Sequence, residues 1–305
     1  MAVKVWKGKT MSKVLSVDLG GTKIAVALVI NKKIVERAQV ATPKAPEQLE
    51  SVLKELLAPF MPEAQVVTVA STGIINKGIL TALNPKNLGG LNHFPIQSVI
   101  ENITQLPTLV INDAQAAAWS EFKLLKTPAS NMAFITVSTG VGAGLVLAET
   151  LHVGPSGLSG HAGHMLSDPN GPMCGCGRKG CVESIASGTA IAAAGKAFWG
   201  DECTGQQVYQ YFINGDRDAA NIINCSAKSI ANLIADLTIS LDLDVVILGG
   251  SVGLAEGYLE LVRNHLDLLP DIYKPRDIGL AQSGADAGLL GAASLYLDKS
   301  YFTVN

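Results

Sequence analysis

Three cysteines fall within eight residues, at Cys174, Cys176 and Cys181, a short way downstream of His164. Three thiolates and one imidazole complete the tetrahedral donor set that a zinc ion prefers. A set closed by four protein ligands leaves no position for water, so such a zinc would be structural and would order an irregular loop. The Cys-x-Cys-x4-Cys spacing is not that of a standard zinc finger, and buried free thiols are the competing reading. Cys203 and Cys225 carry no ligand pattern and read as core. Five cysteines in 305 residues are too few for a disulfide scaffold.

Three glycine turns carry the second kind of chemistry. In Asp18-Leu19-Gly20-Gly21-Thr22-Lys23 the glycines let backbone N–H groups close on a phosphate, and Asp18 ends a strand where it could orient a metal–phosphate complex. A tight hairpin is the alternative. Ser138-Thr139-Gly140-Val141-Gly142-Ala143-Gly144 is a second such turn, so two loops could hold a nucleotide's phosphates between them. The third, Gly249-Gly250-Ser251-Val252-Gly253, follows a buried strand at the crevice position where open sheets bind ligands. It is a candidate for the adenine or ribose end, or simply a strand–helix turn. None matches the GxxxxGK[ST] loop, and the protein-kinase signatures are absent.

Asn112-Asp113 closes one apolar run and opens an alanine-rich one. Asn and Asp both favour helix caps, which explains the pair without function. The functional reading makes Asp113 the general base that takes a proton from a sugar-type hydroxyl during phosphoryl transfer. Asn112, with donor and acceptor on one amide, could hold neighbouring hydroxyls.

The elements that must position these residues alternate between strand and helix. Residues 13–19, 23–30 and 33–40 read as three antiparallel strands, unlike the strand–helix start of a dinucleotide-binding fold. A helix follows over 46–58, strands over 65–71 and 106–112, and a helix over 113–125. Residues 76–92 read as a loop. The strand–glycine turn–strand pattern returns at 132–148, a weak internal duplication in which each turn opens its own domain. Helices are expected over 185–199, 216–241, 255–268 and 285–297, with a buried strand at 244–250.

The net charge of −3 and the lack of a dense Lys/Arg stripe give no general attraction to nucleic acid. No apolar run is long enough to span a bilayer, and the start does not look like a signal peptide, so cytoplasmic residence without a membrane partner is expected.

Taken in order, DLGGTK at 18–23, Asn112-Asp113, the turn at 138–144 and Cys174-x-Cys176-Gly-x-x-Gly-Cys181-x-Glu183 resemble the ROK family of sugar kinases and related repressors over residues 13–297. The resemblance implies an α/β fold of two actin/hexokinase-like (ribonuclease H-like) lobes with the active-site cleft between them. The lobes would be 12–125, completed by a helix at 285–300, and 126–284 with the zinc loop and adenosine site; residues 1–11 would be an upstream extension. It further implies ATP with Mg2+, phosphates held by Asp18, Gly20, Gly21, Thr22, Lys23, Ser138, Thr139, Gly140 and Gly142, and adenosine near Gly249, Gly250 and Ser251. Asp113 would be the base, and His164, Cys174, Cys176 and Cys181 would hold structural zinc. Gly73, Asn84, Asn87, Asn112, His161, His164 and Glu183 would border the sugar, and a homodimer is expected.

One departure stands out. Most of the family's kinases have Glu-x-Gly-His where this chain has His161-Ala162-Gly163-His164. His161 thus replaces a sugar-binding Glu, which argues against a plain glucokinase. The segments 70–75, 83–90, 112–119 and 249–257 carry a narrower likeness to the family's kinases of N-acetylated hexoses. The family's repressors have an N-terminal DNA-binding domain of about 80 residues; the 17 residues before Asp18 leave no room for one, so nucleic acid is not an expected partner.

Overall fold

The apolar runs near the start pair as a meander. β1 (Lys13–Leu19) and β2 (Lys23–Ile30) are antiparallel and largely buried, and β3 (Lys33–Ala41) adds to β2 at a wet edge. The computed structural model describes residues 13–82 and 88–298, so Asn84, Asn87 and the 1–11 extension lie outside the described residues. A 3₁₀ turn at Pro46–Gln48 leads into α1 (Leu49–Leu57), which buries Leu49, Leu53, Leu56 and Leu57, the stripe of an amphipathic helix. β4 (Val66–Ser71) is buried at every position and runs parallel to β1.

Residues 76–92, expected to be a loop, contain a strand. β5 (Ile74–Asn76) and β6 (Ile79–Thr81) form a small hairpin that turns at Lys77 and Gly78, both at positive φ. Strands of three residues are too short to show an alternating pattern. α2 (Ile96–Thr104), β7 (Thr108–Asn112) and α3 (Asp113–Leu124) complete the first half, with β7 parallel to β4.

The second half repeats the plan. β8 (Met132–Val137), β9 (Val141–Leu147) and β10 (Thr150–His152) form another antiparallel meander. The single helix expected over 185–199 is two, α4 (Glu183–Ala186) and α5 (Gly188–Trp199). Ser187 between them is extended, and its Oγ caps α5 by accepting from Ala190 N at 3.1 Å. α6 (Gly205–Ile213) and the long α7 (Arg217–Leu241) precede β11 (Val245–Gly249), which is parallel to β8. α8 (Gly250–Gly253), α9 (Tyr258–Asp267), β12 (Asp277–Leu280) and α10 (Ala287–Leu297) finish the chain. The sheet orders are β3-β2-β1-β4-β7 and β10-β9-β8-β11-β12. Three antiparallel strands followed by two parallel additions occur in each, so the duplication faint in sequence is plain in topology.

Two helices join the halves. α3 buries Ala116, Ala117, Ala118 and Trp119 in one cluster with Ala70 and Ile111 of the first sheet, Met132, Phe134 and Val146 of the second, and Ala292 and Leu295 of α10. α10 also lies on the first sheet, where Ser16 Oγ donates to Leu289 O at 2.7 Å. Contact between α10 and α3 is close because Gly291 has no side chain: a Cβ there would sit 1.9 Å from Ala116 O. Gly291→Ala must push the helices apart and is expected to cost roughly 1–3 kcal/mol. A denaturant midpoint equal to that of the parent chain would contradict this packing. Among the described residues, no helix is long and apolar enough to cross a membrane.

Candidate active site

A cavity of about 1220 Å³ opens between the halves. From the first come Gly20, Gly21, Thr22, Gly73, Asn112 and Asp113; from the second, Ser138, Thr139, Gly140, Gly142, His161, His164, Cys174, Cys176 and Glu183. Residues more than 160 positions apart in sequence therefore face one space.

Asn112 determines where α3 begins. Its Oδ1 accepts from Ala114 N at 2.9 Å and Gln115 N at 3.2 Å, while its Nδ2 donates to the carbonyls of Gly73 (2.9 Å) and Ser71 (3.4 Å). Both ends of the amide are thus committed to backbone, which makes its visible task positional. Asp113 is the first helical residue and borders the cavity, with Oδ1 accepting from Ala114 N at 2.8 Å. Burial raises its carboxyl above the usual carboxylate range, and the Ala114 N–H opposes the rise. A carboxyl held upward in this way is a stronger proton acceptor than an ordinary carboxylate.

Asp18 stands one residue before the end of β1, close enough for the two carboxyls to interact. Burial, then the Asp113 charge, push Asp18 up to about 6; Asp286 adds to the rise, and Lys23 and Arg37 oppose it. The folded chain holds this proton to higher pH than the unfolded chain does, so above pH 6 the ionised form works against folding by on the order of 2–3 kcal/mol. That cost fades as pH falls from 6 toward 4. Asp18→Asn is therefore expected to raise the thermal midpoint at pH 7.5, with a smaller gain at pH 4.5. A midpoint that drops at pH 7.5 would refute the account of Asp18.

The glycine turns are closed by their own backbone. Gly20 N donates to Lys23 O at 3.1 Å, and Ser138 N to Gly140 O at 2.9 Å. The second turn is pinned to the start of α5, where Gly188 N donates to Ser138 O at 2.7 Å and Thr189 Oγ1 to Thr139 O at 2.8 Å. An anion lying there meets the N-terminal end of a twelve-residue helix. Gly249, Gly250 and Ser251 do not line the cavity. They adjoin the second turn, with Ser251 Oγ 3.2 Å from Ser138 Oγ and Gly250 closely packed on Val137 O. Asp18 and Lys23 likewise do not line the cavity, and Lys23 is exposed at the start of β2.

The far wall of the cavity lacked a motif to announce it. Thr189, Ala190, Ala193 and Ala194 of α5 face Asn221, Ile222 and Cys225 of α7. The small-residue run at 192–195 was its sequence signal. Cys203 is buried as expected, but Cys225 is exposed and lines the cavity, which corrects its reading as core. It stands near the start of α7, on the side turned to the cleft.

The donor atoms of His164, Cys174, Cys176 and Cys181 all lie within 4.8 Å of one another. Cys174 Sγ is 3.6 Å from His164 Nδ1, and Cys176 Sγ is 3.7 Å from Cys181 Sγ. A tetrahedral ion with metal–sulfur bonds of about 2.3 Å and a metal–nitrogen bond near 2.0–2.1 Å needs edges of roughly 3.6–3.8 Å. The residues fit a metal ion. Burial and the neighbouring sulfurs push the Cys181 thiol up to about 12, so a cation is what would release protons from thiols this crowded.

The metal loop reaches the cavity on both sides. Glu183 Oε2 accepts from Val141 N at 3.0 Å, tying the loop to the second glycine turn. His161 Nδ1 lies 3.2 Å from Leu158 O, and burial holds its imidazole below the usual range.

The model of the ROK family matches residues 14–299. This chain belongs to the ROK family. An N-acetylmannosamine kinase of Haemophilus influenzae (strain PittEE) is 51% identical over 297 residues, 95% of this chain and 98% of that one. Among solved structures, a ROK hexokinase from Thermus thermophilus superposes with a TM-score of 0.83 at 32% identity, covering 94% of this chain and 99% of its own. A ROK family glucokinase from Streptomyces griseus, in complex with glucose and AMPPNP, gives 0.79 at 29% identity over 93% and 99%. The two-lobed α/β ROK fold with a cleft between the lobes is therefore that of this chain.

Proposed function

We propose that this chain transfers the γ-phosphoryl group of ATP to the 6-hydroxyl of N-acetylmannosamine, a step in sialic acid breakdown. The 51% identity to an N-acetylmannosamine kinase along nearly the whole chain carries this reading. The hexokinase and glucokinase stand lower, at 32% and 29%. His161, where a sugar-binding Glu is usual, points the same way.

In this mechanism the sugar lies against Gly73, Asn112, His161, His164 and Glu183, and the family resemblance adds Asn84 and Asn87 as sugar ligands. Asp113 accepts the proton of the 6-hydroxyl as its oxygen attacks the γ-phosphorus, and ADP leaves in line. Gly21 and Thr22 on one lobe and Thr139 and Gly140 on the other offer backbone N–H groups to the phosphates, while Gly20, Ser138 and Gly142 shape the two turns. Lys23 and the start of α5 offset their charge. Bound with ATP, Mg2+ would neutralise charge on the phosphate oxygens, and the paired burial of Asp18 and Asp113 concentrates the negative charge that such a cation answers. The adenosine rests against the small residues of α5 and α7, with Gly249, Gly250 and Ser251 behind the phosphate turn. Lobe closure excludes water, which would otherwise compete as acceptor.

The metal we assign is zinc, held by His164, Cys174, Cys176 and Cys181 in a structural role. We divide the chain into a lobe of 12–125 with 285–300, for the sugar, and a lobe of 126–284, for the nucleotide. We also propose a homodimer that works in the cytoplasm without a nucleic-acid or membrane partner. The test of the reaction is the product. Phosphorus NMR after turnover should show a phosphomonoester coupled to the C6 protons of N-acetylmannosamine, and a phosphate elsewhere on the ring would overturn the assignment.

A further inference from the structure

Glu121 is a buried carboxylate that the transfer step does not use. It lies on α3, about two turns beyond Asp113, and is 3% exposed. Among the described residues, no lysine or arginine forms an ion pair with it. Its partners are backbone groups. Oε1 accepts from Gln282 N at 3.0 Å and Ser283 N at 2.7 Å, and Oε2 from Gln282 N at 3.0 Å. Beside them Ser283 Oγ donates to Ser120 Oγ at 2.9 Å.

Those donors sit on residues 281–286, the strap that leaves β12 in the second sheet and enters α10, which packs on the first. At the strap's near end, Ala281 N donates to Leu248 O at 2.8 Å. At its far end, Asp286 pairs with Arg37 at 3.1 Å. The first turn of α10 then brings Gly288 against Asp18, so closely that a Cβ there would lie 3.1 Å from Asp18 Oδ2.

A carboxylate buried without a cation is a costly way to attach a loop to a helix. What it offers is acceptors on both oxygens. Two successive N–H groups converge on it, and an amide in its place would turn an NH2 toward one of them. Hydrogen bonds to a charged acceptor are also stronger than neutral ones. We propose that Glu121 is the positioning residue of the inter-lobe crossover: it locks the strap to the helix that carries Asp113, so that the closing lobes bring Asp18, Asp113 and the phosphates into one arrangement. This rests on the phosphoryl-transfer reading and deepens it.

Glu121→Gln keeps the shape and removes one acceptor. Hydrogen exchange at Gln282 and Ser283 is expected to speed up by roughly tenfold or more, as loss of a bond to a charged group implies. The kcat for N-acetylmannosamine should fall by a similar factor. AMPPNP and the sugar, each bound alone to its own lobe, should keep dissociation constants within about threefold of the parent, which general unfolding would not allow. Ser283→Ala leaves the carboxylate in place and should move exchange and kcat the same way by about two- to threefold. Unchanged exchange in both variants, or faster exchange with parental kcat, overturns the proposal. The exchange experiment needs no turnover. A parent chain that phosphorylates no sugar would therefore sink the reaction, whereas unaltered exchange would sink the anchor.

Discussion

Asp113→Asn is expected to lower kcat by about 10²–10⁴ while the Michaelis constants for ATP and sugar stay within a few-fold of the parent values. The amide has nearly the shape of the carboxylate and leaves the cap made by Asn112 in place, so the start of α3 should be unchanged. It cannot take the proton of the attacking hydroxyl. Removing a buried charge whose carboxyl is held above its ordinary range also relieves the folded state, so the variant should melt no lower than the parent at pH 7.5. Intact folding with lost turnover separates a chemical role from a structural one. A variant with more than a tenth of the parental kcat would remove Asp113 from the reaction.

Cys181→Ser should act differently, through the loop. Cys181 is fully buried, its sulfur 3.7 Å from that of Cys176, and a hydroxyl is a far poorer ligand for a soft cation. Metal content is expected to fall from about one ion per chain to near zero. His161, His164 and Glu183 all depend on the order of this loop, and Glu183 also holds Val141 N of the second glycine turn. Loss of the ion should therefore raise the Michaelis constants for sugar and ATP together and lower kcat, in all by 10²-fold or more in kcat/KM. Prolonged chelation of the parent chain should reproduce the defect, and added zinc should reverse it. Full activity in a chain assayed free of metal would show that the loop stands without an ion.

Much of this site was legible in the sequence because its parts are local. The cysteine cluster, the glycine turns and Asn112-Asp113 each occupy a few consecutive residues whose types limit what they can do. The lobe plan was legible too, since apolar runs bracket a glycine turn at 13–30 and again at 132–148. What stayed hidden depends on approach between distant segments. Nothing near Ala190 or Asn221 tells that α5 and α7 face each other across the cleft. The same holds for Glu121, whose donors are backbone groups about 160 residues away and so leave no side-chain signature. The commitment of Asn112 to the carbonyls of Ser71 and Gly73 is also a product of folding, since only the sheet brings β4 and β7 together. Short elements such as β5, β6 and β10 were lost for another reason: three residues carry no period.

The central claim concerns which sugar is phosphorylated, and a coupled ADP-release assay tests it most directly. With Mg-ATP and matched concentrations of N-acetylmannosamine, N-acetylglucosamine, glucose and mannose, kcat/KM should be at least about tenfold higher for N-acetylmannosamine than for any other. That margin corresponds to one discriminating interaction in the pocket. A preference for glucose would contradict the account of His161 and the sugar pocket while leaving the ROK fold untouched.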